Sequence, residues 1–441
     1  MSNGTPHIYP QFPLRRFVYE MTDGPFGSSL TSSHYSDEGA RVVRLGNIGS
    51  ARFKDADAAF IPMSYFRELR RHEVKAGDLL IAGLGDERHP VGRACIAPDG
   101  LGPAIVKADC YRVRLDENRL THRFAAWALG SSTVSDQVSA STRGSTRSRI
   151  NLEVAREIHL PVPPVEEQRR IAEFLDAETT RIDGLLNAQN RLHERLSERR
   201  TAGVTSAVAD AERDNRRSST LTWLETLPVD WQEVRVGLLA RMGSGHTPSR
   251  SHPEWWTNCS IPWITTGEVK QVRDDRREDL FETREKISEL GLANSAAELH
   301  PAGTVALCRT ASAGYSAVMG TAMATSQDFV TWTCGPQLDP YYLLWCLRAM
   351  RADLLGRLAM GSTHKTIYVP DLQMLRIPLP SLDDQRKIVK RIRKQNAGID
   401  RLSDAVQIQS SLLTERRQAL ITAAVTGQID VSTASGRGIE E

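Results

Sequence analysis

The sequence predicts an α+β chain: two mixed α/β globular domains separated by two long antiparallel coiled-coil helices and related by an internal pseudo-twofold repeat. The first observation behind this is a repeat at one fixed offset. Gly144-Ser145-Thr146 recurs 217 residues later as Gly361-Ser362-Thr363, and Pro161, Pro163 and Gln168-Arg169 recur as Pro378, Pro380 and Gln385-Arg386. The match continues without a gap through Ile182-Asp183 on Ile399-Asp400, Glu198-Arg199-Arg200 on Glu415-Arg416-Arg417, and Ala207-Val208 on Ala424-Val425. Between Gln168 and Asp210 fifteen of 43 aligned pairs are identical. Shared helical composition does not hold one offset from a loop into a helix, so the chain is a tandem duplication. The second observation is that each repeat has an irregular part followed by a long polar helical part. The third is a length of 441 residues, enough for two or three sizeable cores.

The first globular domain is predicted over residues 1–160. From Val18 to Ile158 short apolar runs (Val42-Val43, Leu79-Leu80-Ile81, Ile105-Val106) alternate with Gly, Ser, Pro and Asp clusters, the pattern of mixed α and β structure with many loops. The first helix follows over 161–210. There Ile171, Leu175, Ile182, Leu185, Leu192 and Leu196 fall on alternating three- and four-residue steps. A linker over 211–220 leads to the second globular domain, 221–377. Lys75-Ala76-Gly77-Asp78-Leu79-Leu80 lies on residues 301–306 only at an offset of 226, so the two globular parts differ in length before Gly361. The second helix, 378–430, repeats the seam with Ile388, Ile392, Ile399, Leu402, Val406, Leu413 and Leu420, and a tail occupies 431–441. Pro161 and Pro163, like Pro378 and Pro380, forbid helix just before each start, and Glu166-Glu167 and Asp383-Asp384 sit where the helix dipole favours negative charge. Each helix of about 45 residues spans on the order of 65 Å. Neither holds alone in water on so narrow an apolar stripe, so the two are expected to pack antiparallel, as a rigid rod with a globular domain at each end.

Composition excludes several classes. Forty per cent apolar and 25% charged residues are ordinary for a soluble globular chain. Met1 to Pro13 lacks the apolar core of a secretory signal and no run reaches 18 uncharged apolar residues, which predicts a cytoplasmic protein. Cys95, Cys110, Cys259, Cys308, Cys334 and Cys346 are scattered, without zinc spacing, and read as buried thiols. A net charge of +2 gives no bulk attraction to nucleic acid but leaves room for a local basic surface. Asp339-Pro340-Tyr341-Tyr342 imitates the base-holding loop of adenine methyltransferases, but its second proline is missing and an apolar helix follows, so it reads as a helix N-cap. Gly243-Ser244-Gly245 lacks the third glycine and the later acid of a dinucleotide loop, and no phosphate-binding G-x-x-x-x-G-K-[ST] run occurs.

A globular domain ending in Gly-Ser-Thr-x-x-x-Ile, then Pro-x-Pro and an acid-acid-Gln-Arg helix start, all of it repeated, resembles the specificity subunit of a Type I restriction-modification system. Thr22-Asp23-Gly24-Pro25-Phe26-Gly27-Ser28-Ser29 with Val43-Arg44-Leu45-Gly46-Asn47-Ile48 resembles one version of that family's target recognition domain. Gly243-Ser244-Gly245-His246-Thr247-Pro248-Ser249 with Ile261-Pro262-Trp263-Ile264 is similar to another. The resemblance spans Thr22 to Ile429. It implies a non-catalytic subunit whose two domains read the halves of a bipartite double-stranded DNA site. It also implies two docked modification subunits, which carry S-adenosylmethionine and methylate adenine, and a restriction subunit that uses ATP and Mg. The two globular sequences differ, so the site is expected to be asymmetric. Two rival readings remain: a self-contained modification or cleavage enzyme, against which the missing cofactor and phosphate loops count, and a scaffold with no DNA preference.

Loop residues able to hydrogen-bond bases or phosphates are the DNA-binding candidates. In the first domain these are Ser28, Ser29, Arg41, Arg44, Asn47, Arg52, Lys54, Arg143, Ser145, Thr146, Arg147 and Arg149. Three arginines within residues 143–149, among Ser, Thr and Gly, are costly to hold together without an anion. In the second domain they are Ser244, His246, Thr247, Ser249, Arg250, Ser362, Thr363, His364 and Lys365. Trp255, Trp256, Trp263, Trp332 and Trp345 are read as core packing before base stacking. Arg199-Arg200 and Arg416-Arg417, identical in both copies, suggest a shared docking surface for two copies of one partner.

Overall fold

The computed structural model describes residues 8–86, 89–141, 148–359 and 365–431. The chain divides into two compact units, Met1–Gln189 with Ile408–Glu441, and Asn190–Gln407. Each unit holds one globular region and about half of each long helix, Val165–Val208 and Leu382–Thr426. The helices have 44 and 45 residues and start just after the proline-marked boundaries.

The centre of the first unit is an antiparallel sheet in the order Val18–Thr22, Cys110–Leu115, Leu79–Ala82, Ala94–Ile96. Its strand Leu79–Ala82 explains the uninterrupted apolar run seen in the sequence. Side chains alternate across a strand, and Leu79 and Ile81 enter one core while Leu80 and Ala82 enter another, so both faces are buried. The second unit repeats this at an offset of 226: Val305 and Leu307 face one core, Ala306 and Cys308 the other. Its sheet runs Ala240–Ser244, Phe329–Cys334, Val305–Cys308, Ser316–Met319, Asp279–Leu280, the last strand pairing parallel. Smaller sheets complete each unit, one ordered Phe60–Ile61, Ala40–Val43, Ala104–Val106, Glu73–Val74 in the first, and one ordered Lys286–Ile287, Ile261–Ile264, Ala324–Thr325 in the second.

A buried glutamine at the start of each long helix helps to fasten it to its own globular region. Gln168 Oε1 accepts from Thr121 N at 2.8 Å while its Nε2 donates to Arg119 O and Pro163 O, both at 2.9 Å. Gln385 repeats this with Asp339 N at 2.8 Å, Gln337 O at 2.9 Å and Pro380 O at 3.1 Å. Thr121 and Asp339 are the N-caps of equivalent helices, His122–Leu129 and Pro340–Ala349. Asp339 Oδ1 accepts from the amides of Tyr341 and Tyr342, so the methyltransferase-like motif is a helix cap.

Within each unit the long helices pack antiparallel. Ile171 and Leu175 share a core with Ile421, Ala424 and Val425 in the first unit, and Val204, Ala207 and Val208 share one with Ile388, Val389 and Ile392 in the second. Each Val, Leu or Ile side chain among them contributes roughly 1.5–3 kcal/mol when fully buried. The predicted seam does not hold throughout. Leu185, Leu192 and Leu402 are 48%, 45% and 57% exposed, because a helix of 3.6 residues per turn drifts off a strict seven-residue repeat. Polar pairs add to the interhelix contact: Gln189 Nε2 donates to Gln409 Oε1 at 2.8 Å and Arg417 Nε to Asp183 Oδ1 at 3.1 Å in the first unit, while in the second Arg200 pairs with Asp400 beside the buried seam residues Leu196, Ile399 and Val406. Arg200 and Arg417 are therefore spent inside the helix pairs and do not belong to a docking surface; Arg199 and Arg416 remain exposed. Of the cysteines, Cys95, Cys110, Cys308 and Cys346 are buried, whereas Cys259 and Cys334 are only partly so. Among the described residues no helix is long and apolar enough to cross a membrane.

Candidate nucleic-acid interface

In the first unit one polar surface forms around Asp23. Its Oδ1 accepts from Gly24 N at 2.7 Å and Asp109 N at 2.9 Å, which binds two loops together, and burial pushes its carboxyl up to about 6. Gly24 is required there, since a Cβ would lie 2.1 Å from the Lys107 carbonyl carbon. The loop then turns out to solvent through Phe26, 50% exposed, and the exposed Ser28 and Ser29. Tyr65 Oη donates to Ser29 O at 2.5 Å and fixes the far end. Arg149 arrives from the strand Ser148–Arg149, which pairs with Leu84–Gly85. Its Nε donates to Asp109 Oδ1 at 2.8 Å, and its guanidinium carbon lies 5.9 Å from the Phe26 ring centroid. Ser28, Ser29 and Arg149 thus share a surface. Arg143, Ser145, Thr146 and Arg147 lie outside the described residues, immediately before Ser148.

The remaining predicted readers of this unit divide. Arg52 and Lys54 are exposed on the turn closed by the Ile48–Phe53 bridge. Arg44 is half-buried and paired to Asp57. Arg41 and Asn47 do not fit the role predicted for them. Arg41 is 7% exposed, its Nη2 donating to the carbonyls of Asp55 at 3.1 Å and Asp57 at 3.3 Å. Asn47 is fully buried, its amide nitrogen donating to Lys54 O at 2.9 Å and Asp57 O at 3.1 Å while Oδ1 accepts from Arg44 N at 2.8 Å. All five bonds shape the loop, so neither side chain has a face left for a base edge. Sequence reasoning missed Arg93, which is 7% exposed and donates to five carbonyls: Leu45 at 2.9 Å, Ile48 at 2.7 Å, Leu84 at 3.1 Å, His89 at 3.1 Å and Pro90 at 3.0 Å. Burial lowers its pKa. It ties three loops together, and only its place before the buried strand Ala94–Ile96 could have signalled this.

The second unit builds its surface differently. Gly245 lies so close to Thr325 that a Cβ would meet its carbonyl oxygen at 2.0 Å, and His246 N donates to that oxygen at 3.0 Å. Thr247 Oγ1 donates to Gln327 Oε1 at 2.6 Å, and Arg309 Nε donates to Gln327 O at 3.0 Å. Ala311 N donates to Lys365 O at 3.1 Å and Ile367 N to Arg309 O at 2.8 Å, so the loops at 244–250, 309–312, 325–328 and 365–367 are joined. Ser244, His246, Ser249, Arg250 and Lys365 are exposed and Thr247 is half-buried. Gly243 and Ser244 belong to the strand Ala240–Ser244, not to a phosphate loop. Ser362, Thr363 and His364 lie outside the described residues. Trp263, Trp332 and Trp345 are core residues. Trp255 and Trp256 are half-buried on the turn Pro253–Trp256, where His252 stacks on Trp255 at 4.2 Å and the Arg250 guanidinium lies over Trp256 at 3.8 Å.

Comparison with known proteins decides the family. The model of the type I restriction modification DNA specificity domain matches residues 73–192 and 228–404, once in each repeat. The chain belongs to that family. The EcoBI specificity subunit of Escherichia coli is 19% identical over 415 residues, covering 91% of this chain and 83% of the relative. A chain solved in work on complex assembly and conformational transition of the type I R-M system matches with a TM-score of 0.70 at 19% identity, over 96% of this chain and 99% of that one. The HsdS subunit from Thermoanaerobacter tengcongensis matches with a TM-score of 0.51 at 18% identity, over 97% and 100%. The last two share the fold of this specificity chain. Its α+β class, with the long helix Val165–Val208 running out of the end of the first family segment, is that of type I DNA-recognition subunits.

Proposed function

We propose that this specificity chain reads an asymmetric bipartite DNA site, one half with each globular region, and carries no catalysis of its own. The observation that carries the reading is the contrast inside the repeat. The two units share the order of four central strands, their capped helix and their buried glutamine anchor, while their exposed loops hold different chemistry, Ser28, Ser29 and Arg149 in one and His246, Ser249, Arg250 and Lys365 in the other. A scaffold kept constant beneath divergent polar loops is what two different half-sites require, since base contacts specify while the rest positions. Arg143, Ser145, Thr146 and Arg147, with Ser362, Thr363 and His364, are assigned to the same interface from their place beside Ser148 and Lys365.

Two modification subunits dock on the helices, each carrying S-adenosylmethionine for adenine methylation, and a restriction subunit using ATP and Mg joins them in the cytoplasm. Supporting two equivalent docking sites, Arg199 and Arg416, and likewise Leu185 and Leu402, are pairs related by the repeat and exposed in both copies. The test mixes the purified chain with a cognate modification subunit, S-adenosylmethionine and DNA. Site-specific adenine methylation is expected only from the mixture, and methylation by the chain alone would overturn the non-catalytic assignment.

A further inference from the structure

On its candidate polar loops each unit holds an exposed arginine laid beside an aromatic ring and tied along one edge to a carboxylate; Arg393, beside Tyr341 and Glu278, and Arg123, beside Trp127 and Asp176, share that setting but lie on or against the long helices. In the second unit the Arg250 guanidinium carbon is 3.8 Å from the Trp256 centroid and its Nη2 is 3.2 Å from Glu285 Oε2. Trp256 cannot swing away: its Nε1 donates to Ser249 O at 3.1 Å and its ring meets the buried Trp263 edge-on at 5.6 Å. In the first unit Arg149 directs Nε at 2.8 Å and Nη2 at 2.7 Å to Asp109 Oδ1, beside the Phe26 ring. Asp109 is itself held by its amide on Asp23. The two arginines are not related by the repeat, since Arg149 shifted by 217 falls on Thr366. The same arrangement therefore arises from different positions in the two copies.

A carboxylate against a guanidinium cancels much of the charge that a phosphate contact uses, but it fixes the plane of the fork. The setting thus suits geometric reading of a partner better than neutralisation of one. Of five guanidinium N–H groups Arg149 spends one on Nε and one on Nη2, which leaves the Nη1 pair and the outer Nη2 hydrogen as a fork of donors. Arg250 spends one Nη2 hydrogen. In the major groove two adjacent acceptors, O6 and N7, belong to guanine alone, whereas adenine offers one acceptor beside a donor.

We propose that Arg149 and Arg250 are specificity-determining residues, each reading one guanine in the half-site of its own unit. The inference rests on the DNA-recognition reading above. Asp109 and Glu285 are positioning residues that act through them.

The test uses the full chain with its modification subunit on a randomised DNA library, with methylated sites sequenced for wild type, R149K, R250K, D109N and E285Q. Lysine keeps the charge and loses the planar fork. R250K is expected to lose discrimination for guanine roughly ten- to hundredfold at one position of one half-site, leaving the other half and the salt dependence unchanged. R149K is expected to do the same in the opposite half. E285Q and D109N should each relax the same position partially, without weakening total binding, an effect that general unfolding would not give. Unchanged guanine preference in both lysine variants overturns the proposal. So does uniform weakening on every sequence when the arginines are replaced by Ala, with a salt slope smaller by about one, which marks a phosphate contact. If wild type itself methylates without sequence preference, the DNA-recognition reading fails as well.

Discussion

Replacing Gln168 with Leu removes the anchor between the first globular region and its long helix at nearly constant volume. Three hydrogen bonds go at once, leaving the Thr121 amide and the carbonyls of Arg119 and Pro163 without their partner. Each stranded buried group costs on the order of 1–3 kcal/mol, and an apolar leucine that fills the space returns part of the loss, for a net cost of about 3 kcal/mol. The Thr121 amide reports this locally, because its exchange in the native state requires the anchor to open. Converted at about 1.4 kcal/mol per decade, the expected fall in protection at that amide is roughly 150-fold. Gln168→Glu should be at least as damaging, since a second acceptor then faces the two carbonyls. Gln385→Leu should reproduce the effect at the Asp339 amide and leave Thr121 unchanged. Hydrogen exchange read by mass spectrometry on the full chain measures all three. A Gln168→Leu chain with native protection at Thr121 would refute the anchoring argument.

Asp23 gives a pH prediction. Its folded pKa, about 6, lies above the ordinary 3.8, so the folded state binds more protons between those values and this group's contribution is present at low pH and lost as pH rises through about 6. Asp23→Asn keeps the acceptor oxygen without the charge and should stabilise the chain by about 1–2 kcal/mol at pH 8, after allowance for water at the half-buried carboxyl, with the gain shrinking toward pH 4; thermal melts across that range check it, and destabilisation at pH 8 would contradict it. Arg417→Ala and Asp183→Ala, alone and together, should show a coupling of about 1 kcal/mol, since the pair is only partly exposed, and high salt should shrink it. Asp339→Ala should cost about 1 kcal/mol of stability through the lost cap and leave methylation by the assembled complex intact; a folded variant without methylation would contradict the structural role of that motif. Exchanging residues 1–160 for the equivalent region of a relative should change one half of the methylated site only, and a chimera altering both halves would refute independent readout.

Most of the architecture was legible because it is repetitive. The fixed offset, the prolines before each helix and the alternating apolar steps are local signals, and the anchoring glutamines sit among them as identical residues at Gln168 and Gln385. The offset of 226 also places Leu79–Ala82 on Val305–Cys308, which proved to be equivalent strands buried on both faces. The seam failed at Leu185, Leu192 and Leu402, where helical drift turned the leucines outward, and held at Leu196, Ile399 and Val406. The interface was legible only as a set of loops. Polarity in a loop does not distinguish a side chain that faces solvent from one that shapes the loop, and Arg41 and Asn47 turned out to be of the second kind. Arg93 escaped notice for the converse reason, since its five partners are backbone carbonyls, which leave no pattern in the sequence. The stacked arginines depend on contacts between residues far apart, Arg149 with Asp109 and Phe26, and Arg250 with Glu285.

On the proposed function, this chain alone sets which adenines are methylated. Single-molecule sequencing of methylated adenines, in cells carrying the modification subunit with and without this chain, tests it most directly. One asymmetric two-part motif is expected to be fully methylated with the chain and unmethylated without it. The same motif persisting in cells that lack the chain would contradict it.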